Sequence, residues 1–389
     1  MIDHLHARLP AWPDLRLGLD ASLLVAAVSL LAWGLVMVAS ASVAAGETAS
    51  GSALQFFWRQ LLFVMLGGGL ATALWCVPMA FWARTTWLMF GGAVALLLIV
   101  LIPGLGVEVN HATRWLNTPF VRLQPSEPAR IALFVYLAGY LVRRQAEVQT
   151  SLSGLIKPLA ILLIPALLLL AEPDFGATVV LYAVAFLMIF MSGAPLVYFA
   201  GLLLVAVAGL AFIATTESYR MQRLLNFTNP WADVEAGGWQ LSQSLIAIGR
   251  GEWWGVGLGN SIQKLLYLPE MHTDFIFAIL AEEFGLLGVA ILVGLYAVLV
   301  LRGFSIARTA ELREARFSAY LCFGLVGWLG LQALINLAVN MGMAPTKGLT
   351  LPLMSYGGSS LITAMAALGL ILRVDYENRL AAKAAENRK

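Results

Sequence analysis

Apolar runs of bilayer-crossing length follow one another along nearly all of this 389-residue chain. A helix needs about 17–25 mostly apolar residues to cover the hydrocarbon core. Ten stretches approach or meet that length: 21–43, 55–77, 86–103, 127–142, 154–171, 175–192, 194–215, 274–301, 317–341 and 355–374. In lipid a helix pairs its backbone groups within itself. The runs therefore predict an all-α integral membrane protein with ten transmembrane helices and a large extracytoplasmic loop, 216–273, between helices 7 and 8. A transmembrane domain over 21–375 is then flanked by tails at 1–20 and 376–389. A chain that is 60% hydrophobic and 12% charged agrees with that class.

Smaller signals fit the same frame. Ala39-Ser40-Ala41 resembles a signal-peptide cleavage site, but the apolar run before it is of spanning length, so it reads as an uncleaved first helix. Gly67-Gly68-Gly69 reads as a close-packing patch against a neighbouring helix. Cys76 and Cys322 both lie in apolar runs and read as unpaired thiols. A net charge of +2 gives no footprint for nucleic acid.

Orientation follows the Lys/Arg bias. With ten spans both termini share one side. That side collects fifteen of the 24 cations, the other nine, so both termini are predicted cytoplasmic. The segments 104–126, 216–273 and 342–354 then lie outside, and their cations sit among the unusual motifs of the chain.

The first outer segment carries Arg114-Trp115 and Gln124-Pro125-Ser126-Glu127-Pro128, running into Arg130. Ser126 and Glu127 read as a helix N-terminus. Glu127 either complements the helix dipole, worth about 0.3–1 kcal/mol, or pairs with Arg130 one turn on. Glu172-Pro173-Asp174 reads as a tight turn.

The long outer loop carries Arg220, Arg223, Arg250 and Lys264, which could bind phosphate. With Trp231, Trp239, Trp253 and Trp254 it could equally lie on anionic membrane lipids. Asp274 opens the eighth predicted span, with Glu282 about 12 Å deeper at ~1.5 Å per residue and Glu283 beside it. Acids at that depth must face the bundle interior, pair with cations, or be protonated. His272 reads as a hydrogen-bonding partner, with a ligand or second-base role as the alternative. Lys347 and the small residues around Ser355 open the last span, where they allow close packing and leave room for donors near a ligand.

Taken together, Arg114-Trp115, Gln124–Glu127, Glu172–Asp174, the 257–288 stretch and the block Asn340–Ser360 resemble the SEDS family, whose members include FtsW and RodA. The resemblance covers about residues 20–375, and the 257–270 stretch looks more FtsW-like than RodA-like. The family commonly carries lysine where this chain has Arg130.

The resemblance implies a peptidoglycan glycosyltransferase polymerising lipid II at the outer face of the cytoplasmic (inner) membrane during septal wall synthesis. Asp274 would be the general base, and undecaprenyl diphosphate the leaving group. A class B penicillin-binding protein (FtsI-like) and other division-complex membrane proteins would be partners. Arg114, Arg130, Arg220, Arg223, Lys264 and Lys347 are the cations available for the diphosphate on the outer side. A divalent cation, Mg or Mn, could share that task, although no histidine-rich or carboxylate-rich motif marks a metal site. The rival readings are a lipid II flippase, a RodA-like elongation polymerase and a non-catalytic scaffold. Only the scaffold would not require Asp274, Glu127 or Glu282.

Overall fold

The computed structural model describes residues 18–109, 112–117, 122–216, 229–231, 238–345 and 348–387. The first half carries α1 (Ala21–Ala41), α2 (Val43–Ser50), α3 (Gln55–Cys76), α4 (Met79–Arg84) and α5 (Thr86–Val100). These are followed by α6 (Ser126–Arg143), α7 (Gln145–Thr150), α8 (Leu152–Ala171), α9 (Phe175–Met191) and α10 (Leu196–Thr216). The second half carries α11 (Trp239–Gly251), α12 (Ile276–Leu312), α13 (Arg316–Asn340) and α14 (Gly358–Glu386). Each of the ten apolar stretches holds a helix. Among the described residues, six helices (α1, α3, α8, α12, α13 and α14) are long and apolar enough to span, and α5, α9 and α10 contain shorter apolar runs.

The one remaining stretch, 127–142 in α6, is set apart by Glu127 and Arg130 near its start, and it is buried along most of its length. It packs against α5, α9, α13 and α14, while α13 also packs against α9 and α12. Phe134 of α6 and Trp328 of α13 meet across this centre with ring centroids 6.4 Å apart. A helix buried on all faces can carry polar groups without exposing them to lipid, provided they find partners.

The glycine patch on α3 works at one of its three positions. A Cβ on Gly67 would strike Met365 of α14, whereas Gly69 faces open space. Gly369 of α14 returns the contact by lying against the backbone at Ala71. Both cysteines are unpaired thiols, and Cys322 is buried.

Three features depart from the sequence expectation. Segment 104–126 is not a plain loop: β1 (Gly106–Val109), β2 (Ala112–Asn117) and β3 (Arg122–Leu123) form an antiparallel sheet in the order β1-β2-β3. The stretch 216–273 contains the amphipathic α11, which packs on α12 and α13. Finally, α12 and α14 run well past the predicted ends of their spans, and α12 is broken at Gly285.

Candidate functional site

The break in α12 shapes the end of the bundle that carries Asp274. Gly285 adopts φ 63° and ψ −163°, a left-handed backbone that interrupts the helical ladder. The chain after α11 fills the gap. Val256 N and Gly257 N donate to the carbonyls of Glu282 and Glu283, each at 3.0 Å, while Leu286 N and Leu287 N donate to Glu252 and Trp253. A Cβ on Gly285 would overlap the backbone of Gly251 and Gly255. The freed backbone groups are thus paired by a loop folded into the bundle, as interrupted membrane helices require.

The two adjacent glutamates fasten that loop. Glu282 accepts from Arg250 Nη1 at 2.7 Å, from the backbone of Ile262 at 3.1 Å and from the Ser261 hydroxyl. Glu283 accepts from Lys264 Nζ at 2.9 Å and from the Ser40 hydroxyl of α1 at 2.7 Å. Both acids are buried and pair with cations, one of the alternatives the sequence left open. Lys264 is correspondingly 7% exposed, so it is a buried counter-charge rather than an open phosphate ligand, and Glu282 is a loop anchor.

Asp274 lies in the turn just before α12, with its side chain half-buried. Asn336 Nδ2 and Asn340 Nδ2, one turn apart on α13, both donate to its main-chain carbonyl, at 2.8 and 3.0 Å. Asn336 Nδ2 also lies 2.6 Å from the carbonyl of Leu349. Gly348 comes so close that a Cβ there would lie 2.9 Å from Asp274 Oδ2. The adjacent His272 is held by its ring and its backbone. Its ring lies 4.6 Å from Phe56 and 5.5 Å from Tyr356, and Tyr356 N donates to its carbonyl. Burial pushes the His272 pKa below its ordinary value, against the pull of Glu270, so the neutral imidazole is favoured. Ser355 turns inward: its hydroxyl accepts from Leu351 N at 2.8 Å, which makes it a turn-forming group.

Glu127 and Arg130 form the pair that their spacing suggests, Nη1 to Oε2 at 3.3 Å, with both side chains buried. Arg130 also donates to Gln332 Oε1 at 3.2 Å, and its guanidinium lies 5.1 Å from the centroid of the Trp328 ring. Gln332 Nε2 continues to the carbonyl of Thr350 at 3.0 Å. Gly348, Leu349 and Thr350, three consecutive residues, therefore join the Asp274 turn to the Arg130 network.

Arg114, from β2, donates to the carbonyls of Glu172 and Pro173. Asp174 caps α9 at Ala177 N, 3.1 Å, and faces Gln124 Nε2 at 3.4 Å. The turn expected at Glu172–Asp174 is present, and the Glu172 carboxyl oxygens are buried without a hydrogen-bond partner. Burial first, then the charge of Asp174, pushes the Glu172 pKa up to about 8 against the pull of Arg114.

Sequence reading missed Gln332 and Asn336. A signal was available: Gln332, Asn336 and Asn340 recur every fourth residue in an otherwise apolar helix, which places three amides on one face. Arg220, Arg223 and Lys347 lie outside the described residues. Among the described residues no group of three or more His, Cys, Asp or Glu side chains converges as a metal cluster would.

The family model for cell cycle proteins of the FtsW, RodA and SpoVE type matches residues 21–380. A probable peptidoglycan glycosyltransferase FtsW of Nitrosococcus halophilus is 52% identical over 360 residues, covering 92% of this chain and 93% of that protein. Its counterpart in Hahella chejuensis is 50% identical, covering 92% and 90%. Among solved structures, a chain from a peptidoglycan synthase complex that coordinates polymerization and crosslinking superposes with a TM-score of 0.75 at 29% identity, covering 93% and 98%. The rod shape determining protein RodA of Thermus thermophilus gives a TM-score of 0.69 at 28% identity, covering 94% and 99%.

Proposed function

The chain belongs to the FtsW/RodA/SpoVE family of cell cycle proteins, and we propose that it works as a peptidoglycan glycosyltransferase that polymerises lipid II with Asp274 as general base. The observation that carries the residue assignment is the held backbone of Asp274: two amides of α13 fix its carbonyl while its carboxylate stays half-buried at the mouth of α12. A base must be positioned before its basicity can be used. The boundary location suits a substrate whose sugars are in water and whose tail is in lipid.

In the proposed step the acceptor sugar's 4-hydroxyl gives its proton to the Asp274 carboxylate as its oxygen bonds to the donor's anomeric carbon. The bond from that carbon to the diphosphate oxygen breaks, and undecaprenyl diphosphate leaves with the electron pair. The leaving charge calls for cations. Arg114 and Arg130 direct guanidinium groups at Glu172, Pro173, Glu127 and Gln332, and Lys264 is enclosed with Glu283. Arg220, Arg223 and Lys347 are therefore the proposed diphosphate partners.

The proposed location is the inner membrane at the division septum, with 21–375 as the membrane domain, all ten apolar helices crossing, and both termini cytoplasmic. The 15-to-9 split of cations supports that orientation. A class B penicillin-binding protein of the FtsI type is the proposed partner, together with other division-complex membrane proteins.

The test is lipid II polymerisation by the purified protein with that partner. Asp274→Asn keeps size and hydrogen bonding but cannot take the proton, and general-base catalysis contributes about 10²–10⁴-fold. Glycan synthesis should fall by at least the lower figure while partner co-purification persists. Activity within a few-fold of wild type removes Asp274 from catalysis and returns the flippase and scaffold readings.

A further inference from the structure

The end of α12 remote from Asp274 holds a second polar concavity that the polymerase reading does not use. It is about 40 Å away along the helix at roughly 1.5 Å per residue. The concavity lies between the start of α1, the last turns of α12 and the α14 segment beyond its apolar run. It is an open concavity of about 380 Å³, at the lower end of the roughly 300–1,000 Å³ of small-ligand sites. Arg302, Ser305 and Thr309 line it from one face of α12, with Arg313 at the residue that caps the helix, opposite Asp20 and Arg379.

The charges of this pocket do not cancel. Asp20, which also caps α1 through Leu23 N at 2.9 Å, is paired with Arg302 and lies 3.7 Å from Arg379. Asp375 is paired with Arg379 at 2.8 Å. Both carboxylates are buried and both have their cations. Arg313 is the surplus: it lines the same space, and among the described residues no ion pair is formed to it and its buried Nη1 has no hydrogen-bond partner. A buried guanidinium nitrogen with no acceptor calls for one. The net charge of the three arginines and two aspartates is +1, which matches a single phosphodiester monoanion. A guanidinium engages such a group in a bidentate fork, and the hydroxyls of Ser305 and Thr309 line the same wall.

The surroundings select the source of that phosphate. Leu301, Leu312 and Leu380 stand 69%, 77% and 47% exposed around the same end of the bundle. Arg302 and Asp375 each sit one residue past the end of an apolar run. Hydrocarbon therefore meets water at this level, where cationic side chains draw anionic lipids. We propose that the pocket binds the headgroup phosphate of an anionic membrane phospholipid, tying α1, α12 and α14 together at the end of the bundle opposite the polymerisation site.

Native mass spectrometry of the detergent-purified full chain, titrated with phosphatidylglycerol and with phosphatidylcholine, tests the assignment. Wild type should retain phosphatidylglycerol at least tenfold more tightly than phosphatidylcholine. Arg313→Gln should lose most of that preference. Thr309→Asp, which keeps every arginine and adds a competing carboxylate, should lose it as well. Lys383→Gln, an exposed cation outside the pocket, should keep it. Equal retention of the two lipids, or wild-type preference in both pocket variants, overturns the proposal. Displacement of the lipid by millimolar inorganic phosphate assigns the pocket to a soluble phosphate compound and overturns the lipid reading too.

Discussion

The side-chain amide of Asn336 lies 2.8 Å from the main-chain carbonyl of Asp274 and 2.6 Å from that of Leu349. One residue of α13 thus sets the turn that carries the proposed base and the strip whose Gly348 abuts that base. Asn336→Ala removes both donations; Asn340 still reaches the Asp274 carbonyl, but that of Leu349 loses its amide, and a buried carbonyl left unpaired costs about 1–3 kcal/mol. The thermal midpoint should fall. Turnover should fall about tenfold if ~1.4 kcal/mol of that positioning is lost from the transition state, with KM for lipid II little changed. Asn336→Asp, isosteric but no longer a donor, should behave like the alanine variant. A rise in KM with unchanged turnover would make Asn336 a binding residue instead.

Lys264 and Glu283 hold the inserted loop by an almost fully buried pair. Removing one partner of such a pair costs about 3–5 kcal/mol, whereas replacing both by apolar groups is often close to neutral. Lys264→Met should therefore lower the unfolding temperature in detergent sharply. Lys264→Met/Glu283→Leu should recover most of the loss. Equal destabilisation of the single and double variants would show that shape, not charge, is what the pair supplies.

Glu172 provides a pH-dependent readout. Its carboxyl titrates at about 8 in the folded chain, against an ordinary value of 4.5. Between those two values the folded protein holds a proton that the unfolded chain has released. By linkage, stability falls as pH rises through that window. Glu172→Gln is neutral throughout and should flatten the dependence. Melts at about pH 5, 6.5 and 8 decide it: a wild type no less stable at the top of the range than at the bottom contradicts the raised value.

That each of the ten apolar stretches holds a helix was legible because apolar continuity is a local property of the chain, although among the described residues only six of those helices are long and apolar enough to span. The Glu127–Arg130 pair was legible for the same reason: both partners lie within one turn. What could not be read was long-range. Lys264 resembles any loop cation until the fold puts Glu283 2.9 Å away. Gly285 lies inside a run that reads as an unbroken helix, and its break makes sense only once Val256 and Gly257 arrive to pair the freed carbonyls. The β1-β2-β3 sheet went unseen because strands of two to six residues leave too little alternation to detect. Asn336 was passed over because an amide in an apolar helix carries no charge to draw notice, although its i, i+4 relation to Gln332 and Asn340 was in view.

Arg130 joins Glu127 to Gln332 while stacking beside Trp328, so its charge, reach and planarity can be separated. Arginine stays protonated at any working pH. A role for the position as a fixed cation would be served by lysine as well. Arg130→Lys keeps a charge opposite Glu127 and should retain polymerisation within a few-fold. Arg130→Met strands a buried carboxylate, at a cost of about 3–5 kcal/mol, and should lose both fold stability and activity. Adding Glu127→Gln to Arg130→Met should restore stability without restoring activity, because the cation is still missing. Glu127→Ala leaves Arg130 in contact with Gln332 and Trp328, so it should fold and yet lose most activity. Polymerisation read beside the thermal midpoint separates these cases. Wild-type rates from Glu127→Ala would return Glu127 to the helix-dipole role and leave Arg130 as a packing residue.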